Sequence, residues 1–419
     1  MSWRDWVARH ASAGTLAIGS ALSQGVLLFS TPIITRLYGP EEYGAYGLFG
    51  MAVALLTPIC GMCLSSALAL AADERERVAL TQTGISLTIL SSIAIGIMLS
   101  LLMMSSVFAA VGTERWLLWW SLAATATVLT IVGQFAYQWD LLQQTFARGA
   151  IRTLSGAVTS VGSRIALGYV WPTGQMLAVG QTLGLAVIAA AVRRFNPLRV
   201  GWCVDWSLLK RYSDFPLHQS WQQVVNVLSR MMPIPLFTLA FGAASAGQYA
   251  VAMLTLGVAG QVIGKAIADT ALPEFVRAHR TGDGLLTVLQ RSTRRLVVLG
   301  VSPFLLVFVV GPYLFATVFG SAWREAGEFA RWMAPWMFVA FLNAPSLTVI
   351  NMLRLQAWAS RLNLMTLALR GAALFFGVYI LQSAVWSVIF FAMAGLLHNA
   401  LLVTGAYRRA RQCASSGAV

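Results

Sequence analysis

The sequence predicts an all-α polytopic membrane protein of about 12 transmembrane helices, arranged as two six-helix bundles. Three observations predict it: a shortage of charge, a succession of long apolar runs, and an internal repeat. Charged residues fill 11% of the 419 positions and hydrophobic ones 58%, with a mean hydropathy of +0.71. An average soluble domain carries roughly 25% charged residues, and so few charges cannot cover an aqueous surface. The excess apolar side chains must face lipid, which excludes a large soluble domain. The runs are continuous rather than alternating, which selects helices over a barrel.

A helical span needs about 20 apolar residues, and twelve runs meet that need. The first six cover about 15–35, 46–71, 79–107, 117–136, 147–170 and 176–192. The second six cover about 220–240, 248–271, 296–316, 332–349, 362–381 and 386–406. The domains follow: an interfacial N-terminal helix at 1–14, bundles at 15–192 and 220–406, a cytoplasmic linker at 193–219, and a basic cytoplasmic tail at 407–419. Trp3, Trp6 and Val7 would form the membrane face of the first segment, which is too polar for a cleaved signal.

With the N-terminus inside, the tails and inner loops hold 20 of the 29 basic residues and the outer loops four, Arg36, Arg115, Arg324 and Arg331. That asymmetry puts both termini in the cytoplasm. The net charge of +14 then reflects topology and attraction to anionic lipid, with no nucleic-acid partner implied.

A shift of 203 residues superposes Pro32 on Pro235, Gly39 on Gly242, Gly44 on Gly247, Tyr46 on Tyr249 and Gly61 on Gly264. The copies lie six spans apart, so the halves share one orientation. This is a parallel repeat about a pseudo-two-fold axis along the membrane normal, with a central cavity expected between the bundles. Pro32, Gly39, Pro235 and Gly242 are read as turn or hinge positions. The Cys60–Cys63 spacing lies inside an apolar run and is read as small packing residues, with no metal or disulfide.

The stretch TPIITRLYGPEEYGAYGLF resembles the N-terminal signature of Wzx-type polysaccharide and O-antigen flippases, in the multidrug/oligosaccharidyl-lipid/polysaccharide exporter superfamily. KRYSDFPLHQSWQQVVNVLSRMMPIPL and FGSAWREAGEFARWMAPWMF are similar to their sequences further on, so the resemblance runs over nearly the whole chain. It implies a V-shaped, alternating-access transporter in the bacterial cell inner membrane. The implied cargo is an undecaprenyl-diphosphate-linked oligosaccharide, a repeat unit of O-antigen, capsule or exopolysaccharide. Membrane lipids are further partners, and a polymerase and glycosyltransferases of the same pathway are candidate ones. Relatives that flip the peptidoglycan precursor carry arginines in the first two spans. Here those spans are uncharged between Arg9 and Arg36 and between Glu42 and Asp73, which speaks against that cargo.

A flippase makes no bonds, so no catalytic residue or cofactor is expected, apart from coupling to a proton or sodium gradient. It needs a polar path and a counter-charge for diphosphate. Charged side chains inside spans cost about 2.5–3.5 kcal/mol each on insertion scales, so each is a functional candidate. The candidate substrate-binding residues are Arg152 and Arg164 in span five, Arg230 in span seven, Lys265 in span eight and Arg370 in span eleven. Arg230 stands beside Met231, Met232, Pro233 and Pro235, so it either meets a phosphate bidentately or caps a broken helix. Arg152 is close enough to the inner surface to snorkel instead. Lys265 and Asp269 share a helix face. They form either a self-neutralising pair or a phosphate ligand beside an ion-coupling carboxylate.

Three other functions compete. A teichoic acid or other polyprenyl-linked glycan exporter would look the same in sequence. A drug/cation antiporter of the same superfamily needs an acidic cavity, and the spans as read hold five basic residues against one acid. A membrane polymerase or ligase needs a catalytic platform outside the membrane, and no outer loop here is long enough.

Overall fold

The computed structural model describes residues 3–103, 113–195, 203–281, 284–353 and 355–416, and among these every regular element is a helix. The chain divides into two compact units, Met1–Tyr38 with Ala45–Leu228, and Gly39–Gly44 with Ser229–Val419. The long helices of the first half are α1 (Trp3–Leu37), α2 (Pro40–Gly61), α4 (Glu74–Met103), α5 (Thr113–Leu142), α6 (Phe146–Val170) and α7 (Gly174–Phe195), with one short turn, α3 (Leu64–Ala67). A short helix, α8 (Trp206–Arg211), leads into the second half. There α9 (Ser220–Met231) and α10 (Pro233–Phe241) share one span, followed by α11 (Ala243–Thr281), α12 (Leu285–Phe319), α13 (Arg324–Met352), α14 (Gln356–Phe375) and α15 (Ala384–Ser416).

Among the described residues, nine helical stretches are long and apolar enough to cross a membrane. The remaining expected spans fall on α1, on α6 with its three arginines, and on α11, whose apolar part is the shorter Ala243–Val258. Large apolar side chains point outward along these helices: Phe29, Ile151, Leu239, Val298 and Met365 are all exposed, Leu239 by 83%. Isolated in water, so much exposed apolar surface would aggregate; in lipid it is the solvated face. The chain is a multi-pass membrane protein.

The structure differs from the sequence expectation at three places. One helix runs unbroken from Trp3 to Leu37, so the first fourteen residues form no separate interfacial helix; their side chains lie outside the described residues. The run at 46–71 is not one span. Helix α2 ends at Gly61, and Met62 and Cys63 take left-handed backbone (φ 50 and 52) before α3. Cys60 is buried in the packing core, whereas Cys63 sits in that turn. Finally, part of the segment read as a linker is folded against the first unit. Leu208 and Tyr212 join Leu64, Leu80, Phe135 and Trp139 in one buried cluster. Asp205 caps α8, and the bond it accepts from the Ser207 hydroxyl, with those from the Ser207 and Leu208 amides, holds its carboxyl below the ordinary carboxylate range. Residues 196–202 of that segment and 417–419 of the tail lie outside the described residues.

The repeat recurs as a reciprocal contact. Segment Gly39–Gly44 belongs to the second unit, where a Cβ on Gly44 would overlap the Ala243 carbonyl oxygen and one on Gly247 would overlap that of Pro40. Gly44 and Gly247 are repeat mates at the 203-residue offset, and so are Pro40 and Ala243. Each helix start thus lays its carbonyl on the other's glycine, an approach that no side chain permits. Gly242 needs to be glycine for another reason, its φ of 89 at the end of α10, whereas its mate Gly39 has no positive φ.

Valine in place of Gly247 is therefore expected to destabilise the purified protein by about 1–3 kcal/mol, seen as a lower unfolding temperature. Alanine at Gly50, where a Cβ meets nothing within 4 Å, is the matched control and should leave that temperature unchanged or raised. Equal unfolding temperatures for the two variants would contradict the close approach.

Candidate functional site

A charge held inside a span must find polar partners there. In the first unit Arg164 does so on α6. Its Nη2 donates to the Tyr46 hydroxyl of α2 at 2.6 Å and reaches Gln181 Oε1 of α7 at 3.3 Å. The Tyr46 hydroxyl in turn donates to Gln181 Oε1 at 2.5 Å, so the bonds form a chain in which each donor polarises the next. The guanidinium also lies 5.0 Å from the Tyr46 ring centroid, and Tyr38, just past the end of α1, donates to the Arg164 carbonyl at 2.8 Å. Helices α2, α6 and α7 thereby hold one half-buried cation.

Arg152, twelve residues earlier on α6, is placed differently. It meets Asp140 near the end of α5 at 2.8 Å, with both side chains almost fully buried. Thr145, in the turn between the helices, donates to the other Asp140 oxygen at 3.0 Å. Arg152 is thus neutralised within the α5–α6 hairpin and does not snorkel.

In the second unit the sequence builds the site around a helix break. Pro233 has no N–H, so the carbonyl of Ser229, four residues back, loses its helical partner. The chain turns at Met232 and restarts as α10. Arg370 of α14 takes the orphaned acceptor: its Nη1 donates to the Ser229 carbonyl at 2.5 Å and to the Ser229 hydroxyl at 2.9 Å. The next carbonyl, of Arg230, accepts from the Tyr249 hydroxyl of α11 at 2.9 Å. The Arg370 guanidinium lies over the rings of Trp336 (4.5 Å) and Phe391 (4.8 Å), and Phe391 is edge-on to Tyr249 at 6.3 Å. Such stacking partly replaces the water that Arg370, 3% exposed, has lost.

Arg230 occupies the last turn of α9, where the helix dipole favours a cation, and its side chain is exposed. The two carbonyls at the break, of Ser229 and Arg230, accept from Arg370 and Tyr249. The backbone of α11 passes through Lys265 and Asp269, whose side chains lie outside the described residues.

The candidates are therefore distributed over two clusters. Each unit holds an arginine from the fifth span of its half close to aromatic rings, and each has a tyrosine from the repeat pair Tyr46 and Tyr249. Among the described residues neither Arg164 nor Arg370 has a carboxylate partner. Sequence reasoning missed Asp140, Gln181, Trp336 and Ser229. Asp140 falls four residues beyond the expected end of span four, Ser229 is marked only by Pro233 four residues on, and Gln181 and Trp336 carry no local signal. The tyrosines were visible as repeat mates but had no role assigned.

The model of the family described as "Polysaccharide biosynthesis protein" matches residues 33–328. The chain belongs to this family. One similar member is the succinoglycan biosynthesis transport protein ExoT of Rhizobium meliloti (strain 1021), 24% identical over 307 residues, or 72% of this chain and 60% of that protein. The chain thus spans somewhat under two thirds of that relative's length. Among solved structures, the lipid II flippase MurJ in an inward closed conformation aligns with a TM-score of 0.70 at 10% identity, over 96% of this chain and 90% of that one. An inward-facing multidrug resistance MATE transporter of the MOP superfamily aligns at 0.67 and 14% identity, over 94% and 96%. These alignments show that this member of the polysaccharide biosynthesis family shares the fold of both solved transporters along nearly its full length.

Proposed function

We propose that the chain is a flippase that carries an undecaprenyl-diphosphate-linked oligosaccharide from the cytoplasmic to the periplasmic leaflet by alternating access. The observation that carries this reading is the pair of arginine–aromatic clusters without carboxylates among the described residues. A drug/cation antiporter would require acidic groups there. A guanidinium suits a diphosphate, and aromatic rings beside it suit a sugar head group. In this reading the exposed Arg230 meets the diphosphate, while Arg370 positions the break that presents it. Family membership, and the similarity to ExoT, a succinoglycan biosynthesis transport protein, support a glycan as cargo. The arginine distribution supports an inner-membrane location with both termini cytoplasmic. Lys265 would add a second phosphate contact, and Asp269 would couple transport to a proton or sodium gradient. A polymerase and glycosyltransferases of the pathway would supply and consume the cargo.

Alanine at Arg230 is expected to abolish surface polysaccharide in a deletion strain while the protein is still made and inserted. Alanine at Arg408 or Arg409, in the exposed end of α15, should leave export normal. Normal surface polysaccharide from the Arg230 variant would remove it from the site. Failure of the wild-type protein to move labelled lipid-linked oligosaccharide in vesicles would remove the flippase reading altogether.

A further inference from the structure

At the end of the second unit where α12 passes into α13, a pocket of about 610 Å³ is lined by Gln248, Tyr313, Arg324, Glu325, Glu328 and Arg331. Its volume falls within the range of about 300–1,000 Å³ typical of small-ligand sites. With both termini cytoplasmic, as proposed above, this end lies outside. Glu325, Glu328 and Arg331 follow one another at three-residue spacing and so share one face of α13. Gln248 of α11 fixes the floor, donating to the Ala322 carbonyl at 2.7 Å and accepting from the Ala326 amide at 2.9 Å. Trp332 donates to Glu328 Oε1 at 2.8 Å, which holds that carboxylate and leaves its second oxygen for another donor. Arg324 lies 5.5 Å from the Tyr313 ring centroid and Arg331 5.7 Å from that of Trp332. Arg331 Nε is buried without a hydrogen-bond partner, and the Tyr313 side chain is 70% exposed.

An ordinary charged collar at a membrane surface would show mobile lysines and glutamates paired across water. Here two arginines and two glutamates line one pocket, and among the described residues no ion pair joins them. The lining charge sums to zero, which suits neither a diphosphate nor a cation. It does suit a neutral polyhydroxyl ligand. A carboxylate accepts from two neighbouring hydroxyls, a guanidinium donates to hydroxyl oxygens, and a tyrosine ring packs on the C–H face of a sugar. We propose that this pocket is a carbohydrate-binding subsite that receives uncharged sugar residues of the glycan on the outer side. The ligand class rests on the transport reading above.

The test is saturation-transfer NMR on the full-length protein in lipid nanodiscs free of glycoside detergent, with cellobiose, lactose, maltose and diacetylchitobiose as probes. At least one disaccharide should take up saturation on its ring protons. That transfer should fall about tenfold in Glu328→Gln and in Tyr313→Leu, each of which removes a direct contact. Glu328→Gln keeps an oxygen for the Trp332 N–H, so an unchanged unfolding temperature confirms that the variant is folded. No saturation with any disaccharide overturns the proposal. So does saturation that survives both substitutions, or displacement of the sugar by inorganic diphosphate. Free-sugar binding is measured without flipping. Binding in a protein that moves no lipid-linked glycan would therefore leave the subsite standing and sink only the transport reading.

Discussion

Alanine in place of Arg370 is expected to destabilise the second unit by about 3–5 kcal/mol, the range for removing a buried, hydrogen-bonded charged group whose partners stay behind. Four effects combine. The Ser229 carbonyl, already without its helical donor because of Pro233, loses its replacement. The Ser229 hydroxyl loses a second bond from the same nitrogen, and the Trp336 and Phe391 faces lose their cation. A void remains where the guanidinium stood. Relief from holding a charge out of water works in the opposite direction and keeps the total from being larger. For a unit of this size the unfolding temperature should drop by roughly 6–15 °C. Lysine should rescue little, because its single ammonium cannot stack on two rings while also reaching the Ser229 carbonyl. Export should fall with the break it supports, but at temperatures where the protein stays folded the defect should be milder than that of the Arg230 variant. An Arg370→Ala protein that unfolds at the wild-type temperature would show that the break is held by something else.

That break shows how far the sequence could be read. Pro233 and Pro235 announced it, because a missing N–H and a ring clash are local properties of the chain. The group that repairs it lies 141 residues away on α14, and no periodicity links the two. The same contrast holds along the whole chain. The spans were legible because lipid demands continuous apolar runs, a one-dimensional requirement. The interruption at Met62 and Cys63 was not, because both residues are themselves apolar and only their positive φ marks the turn. The helical Trp3–Leu37 likewise has a polar first third that hydropathy reads as a separate segment.

The repeat was legible at five positions, and the close approach at Gly44 and Gly247 gives that register a physical meaning: the glycines are matched because each lies against the start of the other's helix. For the candidate site, the sequence supplied the cations and not their company. Counting charges within apolar runs finds Arg164 and Arg370. Their contacts with Tyr46, Gln181, Trp336 and Phe391 come from packing between helices distant in sequence. Arg152 was grouped with Arg164 because both lie in span five. The structure separates them by the partner of each, a carboxylate for one and a phenol with an amide for the other.

Asparagine at Asp140 is expected to be as damaging to the first unit as alanine at Arg370 is to the second. The Arg152–Asp140 pair closes the α5–α6 hairpin with 3% and 7% of the acidic and basic side chains exposed. Removing one partner of a buried pair strands the other charge, at a cost of about 3–5 kcal/mol. Asp140→Asn should therefore lower the unfolding temperature by roughly 10 °C, and Arg152→Met should do similar damage by stranding the carboxylate. Replacing both together, Asp140→Leu with Arg152→Met, fills the space with apolar atoms and leaves no uncompensated charge. Its stability should return close to wild type, since apolar replacement of buried pairs is often neutral or better. The double variant also decides what Arg152 is for. If it only neutralises Asp140, the double variant should export glycan normally although each single variant is impaired. If Arg152 touches the cargo, the double variant should regain stability and still fail to export.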